Sequence, residues 1–420
     1  MKSIATLLAL SLFAGCQTLQ DLGLDSWRPT EQRDPLVSIR DAEPAHDLVL
    51  IGITSAEQSA SVVISGSLQP QIRFERSGGM VHASDGRLAH RIRVAPSQRH
   101  GLLGYGDRQF PGELIVSAHP DGGLRLMNEV ALETYVEGVV ASELILWSAK
   151  PAEIEAQAIA ARTYALHSLE LRGTGGFLWD STVDQAYRGQ ILFEGSRSAE
   201  RVRDLLHDAL AATTGRVLVQ HGQLLDARFH ASCGGRTSNL HDVFPKAGYG
   251  SFAVECEPCL KRGLEELRSG EPDLERPLAW NWTASASELA HLAADLGIGW
   301  RVEQLRPLRR DASGRWIAVE LVGSRGRKQL GFSELRRRLG EGQLKSASLV
   351  RTWPRAQEPI EAGFYFEGRG RGHGVGLCQE GCHDYAAQGW SAERILAHYY
   401  ADAQVLTLDE YSGMGNGAQR

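Results

Sequence analysis

The stretch NEVALETYVEGVVASE, residues 128–143, and the stretch PAEIEAQAIAARTYALHSLEL, residues 151–171, decide how this chain folds. In the first, Leu132, Tyr135, Val136, Val139 and Val140 recur at i, i+3, i+4, i+7 and i+8, the apolar stripe of one helix face. In the second, Pro151 suits a first helical position, and Glu153 and Glu155 suit the positive end of the helix dipole. Ile154, Ala158, Ala161, Ala165 and Leu169 make its buried stripe. Working outward, a third helix is expected from about Ala199 to Ala212, closed by Gly215, and then a hairpin in which His221-Gly222 separates Val217–Val219 from Leu224–His230. On the other side, apolar runs at 48–51, 61–64 and 114–116 alternate with Gly, Pro and Ser turns and read as strands.

Projecting residues 131–143 at about 100° per residue puts Glu143 inside the apolar stripe, whereas Glu133 and Glu137 fall on the polar side and read as a solvated face. Burial and the negative end of the helix dipole both disfavour the charged carboxylate and raise its pKa. A carboxylic acid still protonated near neutral pH can protonate a glycosidic oxygen. Periodicity alone leaves a second reading open, in which the helix frays before Ser142 and Glu143 points into water.

At 420 residues, with 42% apolar and 23% charged residues, the chain can bury a substantial core over two or three domains. A formal net charge of −6 argues against nucleic acid as the main partner, because phosphate binding needs an excess of Lys and Arg. Lys2, an apolar run from Ile4 to Gly15 and then Cys16 describe an export signal too short to span a bilayer. Cys16 resembles the lipidated first residue of mature bacterial lipoproteins. Gln17 after it favours the outer membrane, so the expected location is the periplasm with a lipid anchor. A plain signal peptide cleaved elsewhere is the alternative.

Five blocks in order carry a resemblance: 128–143, AQAIAARTYA at 156–165, DQAYRG at 184–189, SCGGRT at 232–237, and GRGRGHGVGLCQ at 368–379. Together they resemble the SpoIID/LytB-like family, the sporulation stage II protein D proteins, over about residues 115 to 408. The resemblance implies a peptidoglycan lytic transglycosylase that acts on glycan strands stripped of stem peptides, with the glutamate at the position of Glu143 as its acid/base. Members usually follow that glutamate with Met-Pro, where this chain has Leu144-Ile145. Two alternatives stay open: a non-catalytic peptidoglycan-binding modulator of an amidase, and a lysozyme-type muramidase, which would need a second carboxylate to activate water.

Arg162, Tyr164, Gln185 and Tyr187 are candidate substrate-binding residues, since guanidinium, amide and phenol groups suit sugar hydroxyls and N-acetyl groups; helix packing or a buried hydrogen bond is the alternative for each. The glycine run from Gly368 to Gly376 has no P-loop lysine and opens no βαβ unit, so it reads as a strand and tight turn, with His373 as a candidate functional or structural histidine. His230-x-x-Cys233 and Cys256-x-x-Cys259 are spaced like a structural zinc site. The competing reading is a Cys256/Cys259 disulfide with Cys233 left over. Cys378 and Cys382, left as an even pair by the zinc reading, are either paired or merely buried. Zinc found near the active site of related proteins supports the metal.

The expected architecture is an α+β fold. It comprises a signal peptide (1–16), a Pro-containing tether (17–45), a small β-rich segment (46–119), a helical catalytic core with antiparallel β-sheet elements (120–260 and 361–410), an inserted mixed subdomain (261–360) and a tail (411–420).

Overall fold

The computed structural model describes residues 48–417 apart from 67–68, 99, 194, 248–249, 252, 271–272, 274–275 and 355–362. The signal peptide, Cys16 and the tether lie outside the described residues. The fold is α+β, with antiparallel sheets joined to a helical centre.

The centre is helix α2, Pro151–Arg172. Its residues from Ile154 to Ser168 are buried almost without interruption apart from Glu155, which explains why its sequence is only weakly amphipathic. Ile154, Ala158, Ala161 and Ala165 face one core together with α1, Leu132–Glu143, and α3, Arg197–Thr213. Ala156, Ile159 and Ala160 face a second core built with helices Gln379–Ala387 and Ala392–Tyr399. Alanines let both neighbours approach closely; a larger side chain on either face would overpack it.

The β-rich N-terminal part is continuous with the first core. Strand Leu48–Gly52 pairs with Leu124–Ala131, the strand that runs directly into α1, so the sheet sets where α1 begins. The hairpin expected at His221-Gly222 forms between Arg216–Gln220 and Gln223–Leu224, with φ of 52° and 75° at the two turn residues. Arg216–Val219 also pairs with Gln404–Thr407, and Leu408–Gly417 continues as a helix. The expected tail from 411 is therefore mostly structured, because Leu408 and Tyr411 pack on the first core.

The insertion has a core of its own, from Trp280 to Phe366. Strand Ala279–Ser285 pairs along its whole length with Gly363–Arg369, which brings the ends of the insertion together. Its start is later than the expected 261, because helix Glu257–Ser269 docks instead on Gln379–Ala387: Arg262 pairs with Glu380 at 2.8 Å and with Asp384. Its end lies beyond 360 because Phe364 and Phe366 belong to its core.

Candidate active site

Glu143 is the last residue of α1 and stands in a cleft also lined by Leu144, Ile145, Ser232, Arg371, Gln379 and the His383–Glu153 pair. The helix holds to its end, with Leu144 N–H still bonded to Val140 O at 3.0 Å, so the frayed alternative is excluded. The carboxyl accepts hydrogen bonds from Ala186 N–H at 2.8 Å and from Gln379 Nε2 at 3.3 Å. Both donors are neutral. Half-burial pushes its pKa above the usual carboxylate range, and the two hydrogen bonds only partly oppose this. Of the other cleft carboxylates, Glu153 accepts from His383 Nδ1 at 2.9 Å and Lys150 N–H at 3.1 Å, and Glu380 is held by Arg262 and Arg276. Glu143 is the one with neither a histidine nor an arginine partner among the described residues.

The DQAYRG loop explains how Ala186 N–H comes to face Glu143. Asp184 accepts from Tyr164 Oη at 3.0 Å and from Trp179 N–H at 2.7 Å, and also pairs with Arg172. Tyr135 Oη donates to Gln185 Oε1 at 3.0 Å, Tyr187 Oη donates to Asn128 Oδ1 at 2.7 Å, and Arg188 N–H donates to Ser142 Oγ at 3.1 Å. Gly189 has φ of 79°, and a Cβ there would meet Gln109 O at 2.1 Å. The Asp184, Gln185 and Tyr187 side chains thus clamp the loop to α1, α2 and the strand Leu124–Ala131, and what the loop presents to Glu143 is a backbone donor.

The residues expected to bind substrate are accordingly corrected. Gln185 and Tyr187 are buried in the clamp and Tyr164 is its third phenol. Arg162 is fully buried, bidentate to Glu133 at 2.8 and 2.5 Å, with Nη1 on Arg216 O at 3.0 Å. Glu133 also accepts Gly215 N–H at 3.1 Å, so it is a structural anchor rather than part of a solvated face. His373 lies between the rings of His230 and Phe244, 5.6 and 5.4 Å away, outside the residues that line the cleft; burial holds its pKa well below the usual imidazole value. The glycines around it serve close packing: a Cβ on Gly376 would strike Arg228 O, and one on Gly370 would meet Ser232 O at 2.4 Å.

The cysteine cluster differs from expectation in one corner. The sulfurs of Cys233, Cys256, Cys259 and Cys378 all lie within 4.8 Å of one another, buried, and none is in a disulfide. His230 is not among them: its Nδ1 is spent on Val375 O at 3.0 Å, and burial pushes its pKa down to about 3. Cys378 replaces it, so Cys378 and Cys382 are not a pair. The sequence hid this because Cys378 lies more than a hundred residues beyond Cys259 and arrives through the parallel pairing of Phe229–His230 with Leu377–Cys378. Four thiolates around one zinc at about 2.3 Å would stand roughly 3.8 Å apart, and Cys259 Sγ and Cys378 Sγ are 3.6 Å apart. The donor set fits such an ion. Burial raises the Cys233 and Cys378 thiols, while hydrogen bonds from neighbouring thiols, Cys233 first, hold Cys256 low.

Compared with known families, residues 120–220 match the Stage II sporulation protein family, SpoIID. Stage II sporulation protein D of Bacillus subtilis (strain 168) is 26% identical over 293 residues, covering 68% of this chain and 77% of that protein. Residues 120–220 of the chain carry a SpoIID-family domain. An uncharacterized protein of Brachyspira hyodysenteriae is 27% identical over 305 residues, covering 71% of this chain and 72% of that protein. The protein of Bacillus subtilis named Amidase enhancer is 24% identical over 299 residues, covering 63% of this chain but 39% of its own length. The SpoIID match contains Glu143 and its DQAYRG clamp, whereas residues 274–376, almost the whole insertion, match a domain of unknown function, DUF8618.

Proposed function

We propose that this chain cleaves peptidoglycan glycan strands as a lytic transglycosylase, with Glu143 as its single acid/base. The observation that carries the reading is a half-buried carboxyl, raised in pKa, held by two neutral donors in an open cleft whose other carboxylates are engaged by His383 or by arginines. Protonated, Glu143 gives its proton to the glycosidic oxygen as the bond to C1 breaks. The resulting carboxylate then takes the proton of the sugar's own 6-hydroxyl as that oxygen closes on C1, which yields a 1,6-anhydro ring and restores the acid. A hydrolytic route would need a second carboxylate to activate water, and Glu153 is hydrogen-bonded to His383 while Glu380 is paired with arginines. The SpoIID match at residues 120–220 and the likeness to an amidase enhancer support a role at the cell wall.

Two further assignments belong to the proposal. A structural zinc held by Cys233, Cys256, Cys259 and Cys378 would fasten two cleft walls, since Ser232 and Gln379 are the chain neighbours of two of the ligands. The N-terminal pattern ending at Cys16 supports export to the periplasm and a lipid anchor on the outer membrane. Glu143→Gln keeps the shape of the site and removes the proton; it should stop release of soluble glycan products by a factor of about 10² or more while binding to isolated glycan persists. Normal turnover by that variant would overturn the assignment.

A further inference from the structure

Around the Glu143 cleft one arginine is matched by carboxylates and one is not. Arg276, one of two cleft arginines, is committed to Glu380 and to Asp384 at 2.9 Å. Arg371, the other, is exposed into the cleft and has no ion pair or side-chain hydrogen bond among the described residues. Its backbone is fixed: its N–H donates to Ser232 O at 2.9 Å and its carbonyl accepts from Ser232 N–H at 3.1 Å. Gly370 and Gly372, with φ of 73° and 95°, turn the chain on either side of it.

A second unmatched cation stands beside it. Gly372 N–H donates to Lys345 O at 2.9 Å, and Ser346 bridges Gly372 in parallel, so Lys345 lies alongside the arginine. Lys345 is half-buried and also lacks an anionic partner among the described residues. Burial first, and the Arg371 charge second, push its pKa below the usual ammonium value, which places the two charges in one another's field. Two like charges, one partly withdrawn from water, are costly to hold together, and an anion seated between them recovers that cost. Both residues are contributed by the part of the chain matching the domain of unknown function.

We propose that Arg371 and Lys345 form a carboxylate-binding subsite on the rim of the Glu143 cleft, which selects glycan strands that carry an acid group there. The inference rests on the glycan-cleaving reading of Glu143. In a peptidoglycan strand the acid has two sources: the lactyl ether of a muramic acid that bears no peptide, or the far end of a stem peptide. Arg371 supplies a planar fork for a carboxylate and Lys345 a point charge.

The test uses the full chain and three probes: peptide-free strands, the same strands with lactyl carboxylates converted to methylamides, and peptide-bearing strands. Cleavage is measured with the wild type and binding with Glu143→Gln, each with and without Lys345→Gln plus Arg371→Gln, and with Arg371→Lys alone. The charged subsite should favour one acid-bearing probe over the methylamide by about tenfold or more, and added salt should shrink the difference. The double variant should lose that preference with an unchanged melting temperature, and Arg371→Lys should keep part of it. Preference for peptide-free strands assigns the acid to the lactyl group, and preference for peptide-bearing strands assigns it to the stem peptide. Equal treatment of all three probes by the wild type, or an undiminished preference in the double variant, overturns the subsite. Loss of cleavage on every probe would instead count against the Glu143 reading, and the binding arm would still decide the subsite.

Discussion

At the scale of single residues, Glu143 and Arg162 show opposite uses of burial. Glu143 is folded with its pKa raised above the carboxylate value of 4.5, so the native state holds its proton more tightly than the unfolded chain does. Between the unfolded and the raised folded value the native state binds more protons, and stability must fall as pH climbs through that window. Glu143→Gln removes this loss. Its melting temperature should therefore exceed that of the wild type at neutral pH, and the two curves should converge below about pH 4; a gap that widens toward acid pH would contradict the raised pKa. Activity of the wild type should likewise decline as pH rises through the same value, since the acid form begins the reaction. Arg162, by contrast, is fully buried against Glu133 and has no access to the cleft. Arg162→Ala should cost stability, about 3 kcal/mol given that Glu133 is partly open to water, as measured by denaturant unfolding. An unchanged midpoint with a raised KM would restore the substrate-binding role that its residue type suggests.

At the scale of elements, the sequence is most readable where a period repeats. The stripe Leu132, Tyr135, Val136, Val139, Val140 places α1 correctly, and the step from that stripe puts Glu143 on its partly buried face, because both are local consequences of 3.6 residues per turn. What is not readable is partnership across the chain. DQAYRG looks like a row of sugar-binding groups, yet its phenol, amide and carboxylate side chains turn inward to two helices and a strand, and what faces Glu143 is the Ala186 N–H. Nothing in the residue types distinguishes those two uses. The cysteines fail for the same reason: spacing reveals Cys256-x-x-Cys259 but not that a two-residue parallel pairing delivers Cys378 and withholds His230. Purified protein should contain close to one zinc per chain. Cys378→Ser should release it and lower the melting temperature, while His230→Gln should retain it. Zinc lost from the histidine variant and kept by the serine variant would reverse the assignment.

At the scale of the whole molecule, one central helix separates two cores, and the cleft lies where their loops meet. Glu143 comes from the first core. Ser232 and Gln379 come from the second, beside the cysteine cluster, and Arg371 comes from the edge of the insertion. The insertion is also bolted to the cluster, for Arg315 is buried with its guanidinium on the carbonyls of Cys233 and Arg236. The proposed chemistry thus falls to the helical frame and the proposed selection to the inserted domain. All of this depends on Glu143 working alone, which the ends of the product strands record. Mass spectrometry of peptide-free glycan digested by the wild-type chain should find 1,6-anhydro-muramyl ends, and Glu143→Gln should produce none. Reducing ends would require a water-activating carboxylate and contradict the single-acid mechanism, and an absence of new ends from the wild type would leave a protein that binds the wall without cutting it.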